Sequence, residues 1–291
     1  MAAEFVHLHV HSEFSMLDGA IRIPQLVDHV AKMGMPAVAL TDNGNMFGAI
    51  QLVRACQGTA VRPILGCEVG FTSGDRRDPQ NREENHLLLL AASQEGYQNL
   101  VRLVSAGWVD GMTADESPRI DFDVLRQNSK GVVGLSACMG GYVAQEILNK
   151  GPEVGRDALA QLRDAFEPGH FFVELQDHGF PENRPLNHVL MSLAKDLALP
   201  LVATNDCHYL ERQSAHAQLV LQCIGAGRSV REMEAVHHHS SELYLKTPEQ
   251  MVNLFTQIPD AAKNTLLIAE MCAGQATPLA DPKLPRFAVP G

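Results

Sequence analysis

The chain has 291 residues, 45% of them hydrophobic and 20% charged, with a formal net charge of −11. Such a balance belongs to a globular protein of one large or two small domains, and the acid excess excludes a nucleic-acid grip built on a basic surface alone. No run approaches the ~18 apolar residues of a membrane span and no basic-then-apolar leader opens the chain, so the expectation is a cytoplasmic protein with no membrane partner.

Along the chain, strand-like runs fall at Val6–Val10, Ala37–Leu40, Ile64–Phe71, Leu87–Ala91, Val132–Leu135, Phe171–Leu175 and Leu201–Ala203. Between them lie helix-like stretches near Pro24–Met33, Ala49–Gln57, Tyr97–Ser105, Tyr142–Asn149, Val154–Phe166 and Leu186–Leu197. Pro24 stands where a first-turn proline is tolerated, and Gly34 is placed to end its helix. Runs apolar on both faces and separated by helices predict parallel strands covered by helices, and seven of them approach a barrel. In such barrels chemistry gathers at the carboxyl ends of the strands. Thr72–Asn85 is polar and reads as a surface excursion, and Gly225–Glu242, which includes His237–His239, reads as a mobile loop. Residues 276–291 are proline-rich and read as a linker toward a further part of a longer protein, leaving residues 1–275 as one domain.

Potential metal ligands recur where apolar runs end. Phe5–Ser12 reads FVHLHVHS, and strand alternation would place His7, His9 and His11 on one face with Val6, Leu8 and Val10 on the other. Three imidazoles on one face suit a metal site better than a core, although His7 lies deeper and reads as a satisfied core histidine. Asp206 and His208 repeat the i, i+2 spacing in TNDCH after the run LPLVA. Glu68 sits inside the apolar run ILGCEVGF, where an unpaired carboxylate is expensive and bridging two cations would keep it ionised. Asp42 and Glu174 also fall at strand ends. Asp18, His86 and Cys138 are each ambiguous alone: a turn residue, a loop histidine and a buried thiol are the plain readings. His86 precedes its apolar run, which requires either a strand of opposite sense or a ligand delivered by a loop. His178 in QDHG reads as a surface or supporting group, and the six cysteines lack a disulfide-framework spacing and read as thiols. A mixture of imidazole, carboxylate and one thiolate favours zinc, manganese or iron over magnesium or calcium. Several such ions together are a device for hydrolysing phosphate esters. Neither a Walker-type phosphate loop nor a dinucleotide glycine fingerprint is present.

The segments HLHVHSEFSMLDG, PAVALTDNGNMFGA, PILGCEVGF, LSACMGG, VELQDHG and VATNDCHYL resemble the PHP (polymerase and histidinol phosphatase) family. GMPAVALTD, EGYQNLVRL, ATNDCHYL and LPRFAVP are similar to its branch at the N-terminus of bacterial replicative DNA polymerase III alpha subunits. The resemblance spans essentially the whole chain. It implies an α/β fold, a distorted seven-stranded (βα) TIM-like barrel with a metal cleft at the C-terminal ends of the strands. Carried over, the family's ligands fall on His9, His11, Asp18, Glu68, His86, Cys138, Asp206 and His208, with Glu68, Asp206 and His9 at the centre of the chemistry. One position departs: Asn43 follows Asp42 where the family has histidine, in the set that shares a metal with Asp18 and His208. Two well-held divalent ions and a weak or missing third are therefore expected, with Asn43→His strengthening the third. The resemblance further implies a longer polymerase acting at a DNA primer terminus, and a metal-dependent 3′–5′ proofreading exonuclease in this part. Two alternatives stand beside it: an inactive scaffold that docks a separate proofreading exonuclease subunit, and a stand-alone phosphatase of small phosphate monoesters.

Overall fold

A computed structural model describes residues 3–113, 117–236 and 240–279. Its strands are β1 (Ala37–Leu40), β2 (Arg62–Thr72), β3 (Asn85–Ala91), β4 (Arg119–Asp121), β5 (Val132–Leu135), β6 (Phe171–Leu175) and β7 (Leu201–Ala203). The helices are α1 (Ile23–Lys32), α2 (Ala49–Cys56), α3 (Gln94–Asp110), α4 (Phe122–Asn128), α5 (Tyr142–Lys150), α6 (Pro152–Arg163), α7 (Asn183–Asp196), α8 (Ala215–Ala226), α9 (Val230–Val236), α10 (Pro248–Leu254) and α11 (Pro259–Cys272). Helix starts follow local chemistry. Pro152 and Pro259 occupy first turns, and α10 begins with a capping box in which Thr247 and Gln250 exchange hydrogen bonds.

The sheet runs β1-β2-β3-β5-β6-β7, with β4 an added short partner of β2. The expected first strand is not a regular one, yet it closes the circle. His7 O and Val10 O accept from Ala39 N and Thr41 N of the β1 side, while His11 N donates to Cys207 O and His9 O accepts from Cys207 N beyond β7. Three residue steps on this segment thus match two on its neighbour, which is a bulge. The bulge corrects the expected alternation. Val6 and Leu8 point into the inner apolar cluster, whereas Val10 belongs to the outer one with the helices, so the three histidines do not share one face.

The lumen is filled by Val6, Leu8, Ala37, Ala39, Ile64, Leu88, Leu90, Val133, Leu135, Phe172 and Val202, and α11 plugs one end with Ile268, Ala269 and Cys272. Outward-facing Val38, Leu65, Leu87, Leu89, Phe171 and Val173 meet the helices. The barrel is a packed core, and the space left at its other end is polar.

Two further expectations change, and a third gains detail. The sheet is mixed: β3 runs antiparallel to both β2 and β5, so its first residues lie at the carboxyl ends of its neighbours. The polar excursion of residues 73–84 does join β2 to β3, but it is pinned. Fully buried Arg119 donates through its guanidinium to the carbonyls of Asp78, Asn81 and Glu83, while Arg76 pairs with Asp121 and Asp110. The stretch read as a mobile loop contains helix α9, while His237–His239 and residues 280–291 lie outside the described residues.

Candidate metal centre

The barrel's polar end gathers seven of the eight expected ligands within a few ångströms, and Asp18 flanks them. His9 Nε2 lies 3.4 Å from Glu68 Oε1 and 3.3 Å from Asp206 Oδ1. His11 Nε2 lies 3.6 Å from Glu68 Oε2 and 3.1 Å from Asp206 Oδ1. On the other side of Glu68, its Oε1 is 3.0 Å from His86 Nδ1 and 3.9 Å from Cys138 Sγ, and those two atoms are 3.6 Å apart. His208 Nε2 meets Asp206 Oδ1 at 3.1 Å, its ring stacked on His11 at 4.5 Å. Both groups, His9–His11–Asp206 and Glu68–His86–Cys138, have the compactness of a cation site.

Strand geometry explains how distant residues converge. His86 arrives because β3 is reversed and starts at this end, facing Gly70 of β2. Cys138 and Asp206 leave their strands through strained turns: Ala137 has φ 65° and Asp206 φ 45°, left-handed values that non-glycine residues adopt at a cost.

The surrounding hydrogen bonds set the tautomers. His9 Nδ1–H donates to Glu174 Oε1 at 2.8 Å, and that carboxylate is held by Gln176 and Thr204. Ser15 Oγ donates to Asp42, so it accepts from His11 Nδ1–H. His208 Nδ1–H donates to the Asp18 carbonyl at 2.5 Å. Each ring therefore presents an Nε2 lone pair to carboxylate oxygens just over 3 Å away, an arrangement that repels unless a proton or cation lies between. His9 Nε2 and His11 Nε2 are buried and have no hydrogen-bond partner among the described residues. A tetrahedral zinc with bonds near 2.1 Å needs neighbouring ligand atoms roughly 3.4 Å apart. The separations around His9, His11, Glu68 and Asp206 meet that need, so the residues fit a divalent ion.

The same electrostatics appear in the titration of the groups. Burial opposes charge on Glu68, but His86 and His9 overcome it and hold the carboxyl well below the usual range. Asp206 is likewise lowered against its burial by His9 and His208. Burial works against charge on His208, yet Asp206 raises it to about 9. Glu68 lifts His86 well above its ordinary value, and burial pushes the Cys138 thiol up. Without a cation His9, His86 and His208 hold protons more firmly than free imidazoles, protons that a metal would displace.

The position of Asn43 differs in kind. Its amide Nδ2 donates to Asp18 Oδ2 at 3.1 Å, and Gln222 Nε2 donates to Asp18 Oδ1 at 2.9 Å. Both carboxylate oxygens of Asp18 are thus occupied by neutral donors from β1's end and from α8. His7 stands apart, donating from Nε2 to Lys246 O and accepting from Cys207 Sγ, and burial lowers it to about 4. His178 is buried and donates to Asn205 O, in the peptide that precedes Asp206.

The supporting roles of Glu174, Ser15, Gln176, Gln218 and Gln222 were not foreseen. Glu174 carried a signal, a carboxylate at the end of an apolar strand. The glutamines on α8 carried none, since their partner lies about two hundred residues away.

Comparison with known proteins decides the family: residues 7–178 match the PHP domain. The chain belongs to the PHP domain family. This PHP domain is 36% identical over 290 residues to a DNA polymerase III subunit alpha of Treponema pallidum (strain Nichols), covering 98% of this chain and 24% of the relative. A DNA polymerase III subunit alpha of Thermus aquaticus is 36% identical over 301 residues, covering 99% and 24%. The chain spans about a quarter of the length of the curated relatives it matches. Among solved structures, an amidohydrolase from Chromobacterium violaceum is similar with a TM-score of 0.47 and 15% identity, covering 70% of this chain and 87% of that one.

Proposed function

We propose that this PHP domain is the N-terminal part of a replicative DNA polymerase III alpha subunit, a cytoplasmic DNA-directed DNA polymerase, and that its cleft is a metal-dependent phosphoesterase acting as a 3′–5′ proofreading exonuclease. The observation that carries the reading is the pair of buried, unpartnered imidazole nitrogens of His9 and His11, aimed at Asp206 and Glu68. His9, His11, Glu68 and Asp206 would hold one divalent ion, and Glu68, His86 and Cys138 a second, with Glu68 between them. Zinc, manganese or iron suits this donor set. Bound there, the ions would lower the pKa of a water toward ~7 and stabilise charge on the phosphate oxygens. The chain's own residues keep the imidazole lone pairs inward through Glu174, Ser15 and the Asp18 carbonyl. His208 and Asp18 are the remainder of a third site, weakened because Asn43 offers a neutral amide where an imidazole would bind.

A second reading is favoured by that same amide: a site losing ligands survives as a scaffold that docks a separate proofreading subunit. An end-labelled, mismatched primer–template incubated with manganese or zinc separates the two. Shortening from the 3′ end, lost in Asp206→Ala by at least about 100-fold, supports the exonuclease. An uncut primer beside metal-loaded protein favours the scaffold, and turnover of small monoesters alone favours a simple phosphatase.

A further inference from the structure

Beside the cleft lies a cavity of about 450 Å³ that the chemistry above does not use. It is lined by Phe180, Tyr209, Leu219, Met233 and Leu243, with Gln218, Gln222, Ser240 and Ser241 at its polar edge. Among the described residues its lining includes no lysine, arginine or carboxylate, and one histidine, His216. The wall it shares with the metal centre is short. Tyr209 follows His208 directly, Gln222 donates to Asp18 Oδ1, and Gln218 donates to the Asp18 carbonyl at 2.7 Å. The cavity wall is therefore joined to the metal centre through His208 and Asp18.

We propose that this cavity is a subsite for the uncharged base of a nucleotide whose phosphate lies at the metal centre. Its volume falls in the range of small-molecule pockets, roughly 300–1,000 Å³. A second phosphate would need a cation or several N–H donors, and the described lining offers it one imidazole, His216, with the Gln218 and Gln222 amides already turned to Asp18. The lining accepts a planar group with apolar faces and a polar rim, the chemistry shared by all four bases. Half-buried Phe180 supplies an aromatic face, and stacking of this kind is tolerant of sequence. Such tolerance suits an enzyme that must remove any terminal nucleotide. The glutamines give the subsite a second task, since they hold Asp18 and couple the cavity wall to the cleft.

The inference rests on the phosphoesterase reading, and the test keeps the two apart. Binding of thymidine 5′-monophosphate and of 2-deoxyribose 5-phosphate to the manganese-loaded chain is compared by calorimetry. The same pair is measured with Ala215→Trp, which enlarges a lining residue in the first turn of α8 that is not itself a proposed ligand. The nucleotide should bind at least about tenfold more tightly than the sugar phosphate, a difference of ~1.4 kcal/mol. In Ala215→Trp the two should bind alike. Equal affinities in the wild type, or a difference that persists in the variant, would overturn the subsite while leaving the phosphoesterase intact. A base-dependent difference in a chain that cuts no DNA would uphold the subsite and remove the exonuclease.

Discussion

At the scale of residues, two histidines separated by one position do opposite things. His9 has a carboxylate behind it and carboxylates in front, so it is charged or metal-bound. His7 is sealed among neutral partners near Lys246 and stays uncharged until about pH 4. An unfolded histidine takes its proton near 6.5. The stabilisation from neutral His7 is therefore present above that value and is lost as pH falls toward 4, amounting to about 2 kcal/mol between pH 7 and pH 5. Urea denaturation at the two pH values should show this slope in the wild type and a slope shallower by that amount in His7→Gln; identical slopes would contradict the assignment. At the third site, Asn43→His should raise metal occupancy, and Asn43→His with Gln222→Ala should raise it further by freeing both oxygens of Asp18. Equilibrium dialysis against zinc reads the difference. Most of the eight proposed ligands were legible as residue types at strand ends, because metal chemistry admits few of them. The orientation of each ring was not, since it depends on Glu174, Ser15 and a carbonyl brought in from elsewhere in the chain.

At the scale of elements, direction and register decide which side chains arrive at the cleft. The apolar runs located the strands, and the residue preceding one run, His86, was the sole sign that β3 is reversed. Periodicity does not encode strand sense, so the reversal could be posed but not decided. The alternation of His7, His9 and His11 failed for a similar reason: a bulge needs a neighbouring strand, and no local pattern announces it. Helix α3 shows how tightly elements are fitted. A Cβ on its Gly96 would stand 1.7 Å from the carbonyl oxygen of Gly131, in the turn before β5. Gly96→Ala should thus force helix and turn apart and cost about 3 kcal/mol or more of stability. A thermal midpoint within a degree of the wild type would show that the contact yields.

At the scale of the whole molecule, the barrel encloses an apolar lumen stoppered by α11 at one end and crowned by charge at the other. A net charge of −11 together with converging carboxylates makes the crown a place for cations before it is a place for DNA. Bound ions would offset that charge where a phosphate must approach, and their binding free energy would add to the stability of the fold. Removal of metal with a chelator should accordingly lower the melting temperature, and the shift should vanish in Glu68→Gln, which loses the carboxylate between both proposed sites. The most direct measurement is the metal content of the purified chain after saturation with zinc or manganese and removal of free ion, read by inductively coupled plasma mass spectrometry. The account predicts two tightly held ions per chain, reduced in Glu68→Gln and in Asp206→Ala. No retained ion, or three held with equal tenacity, would contradict it.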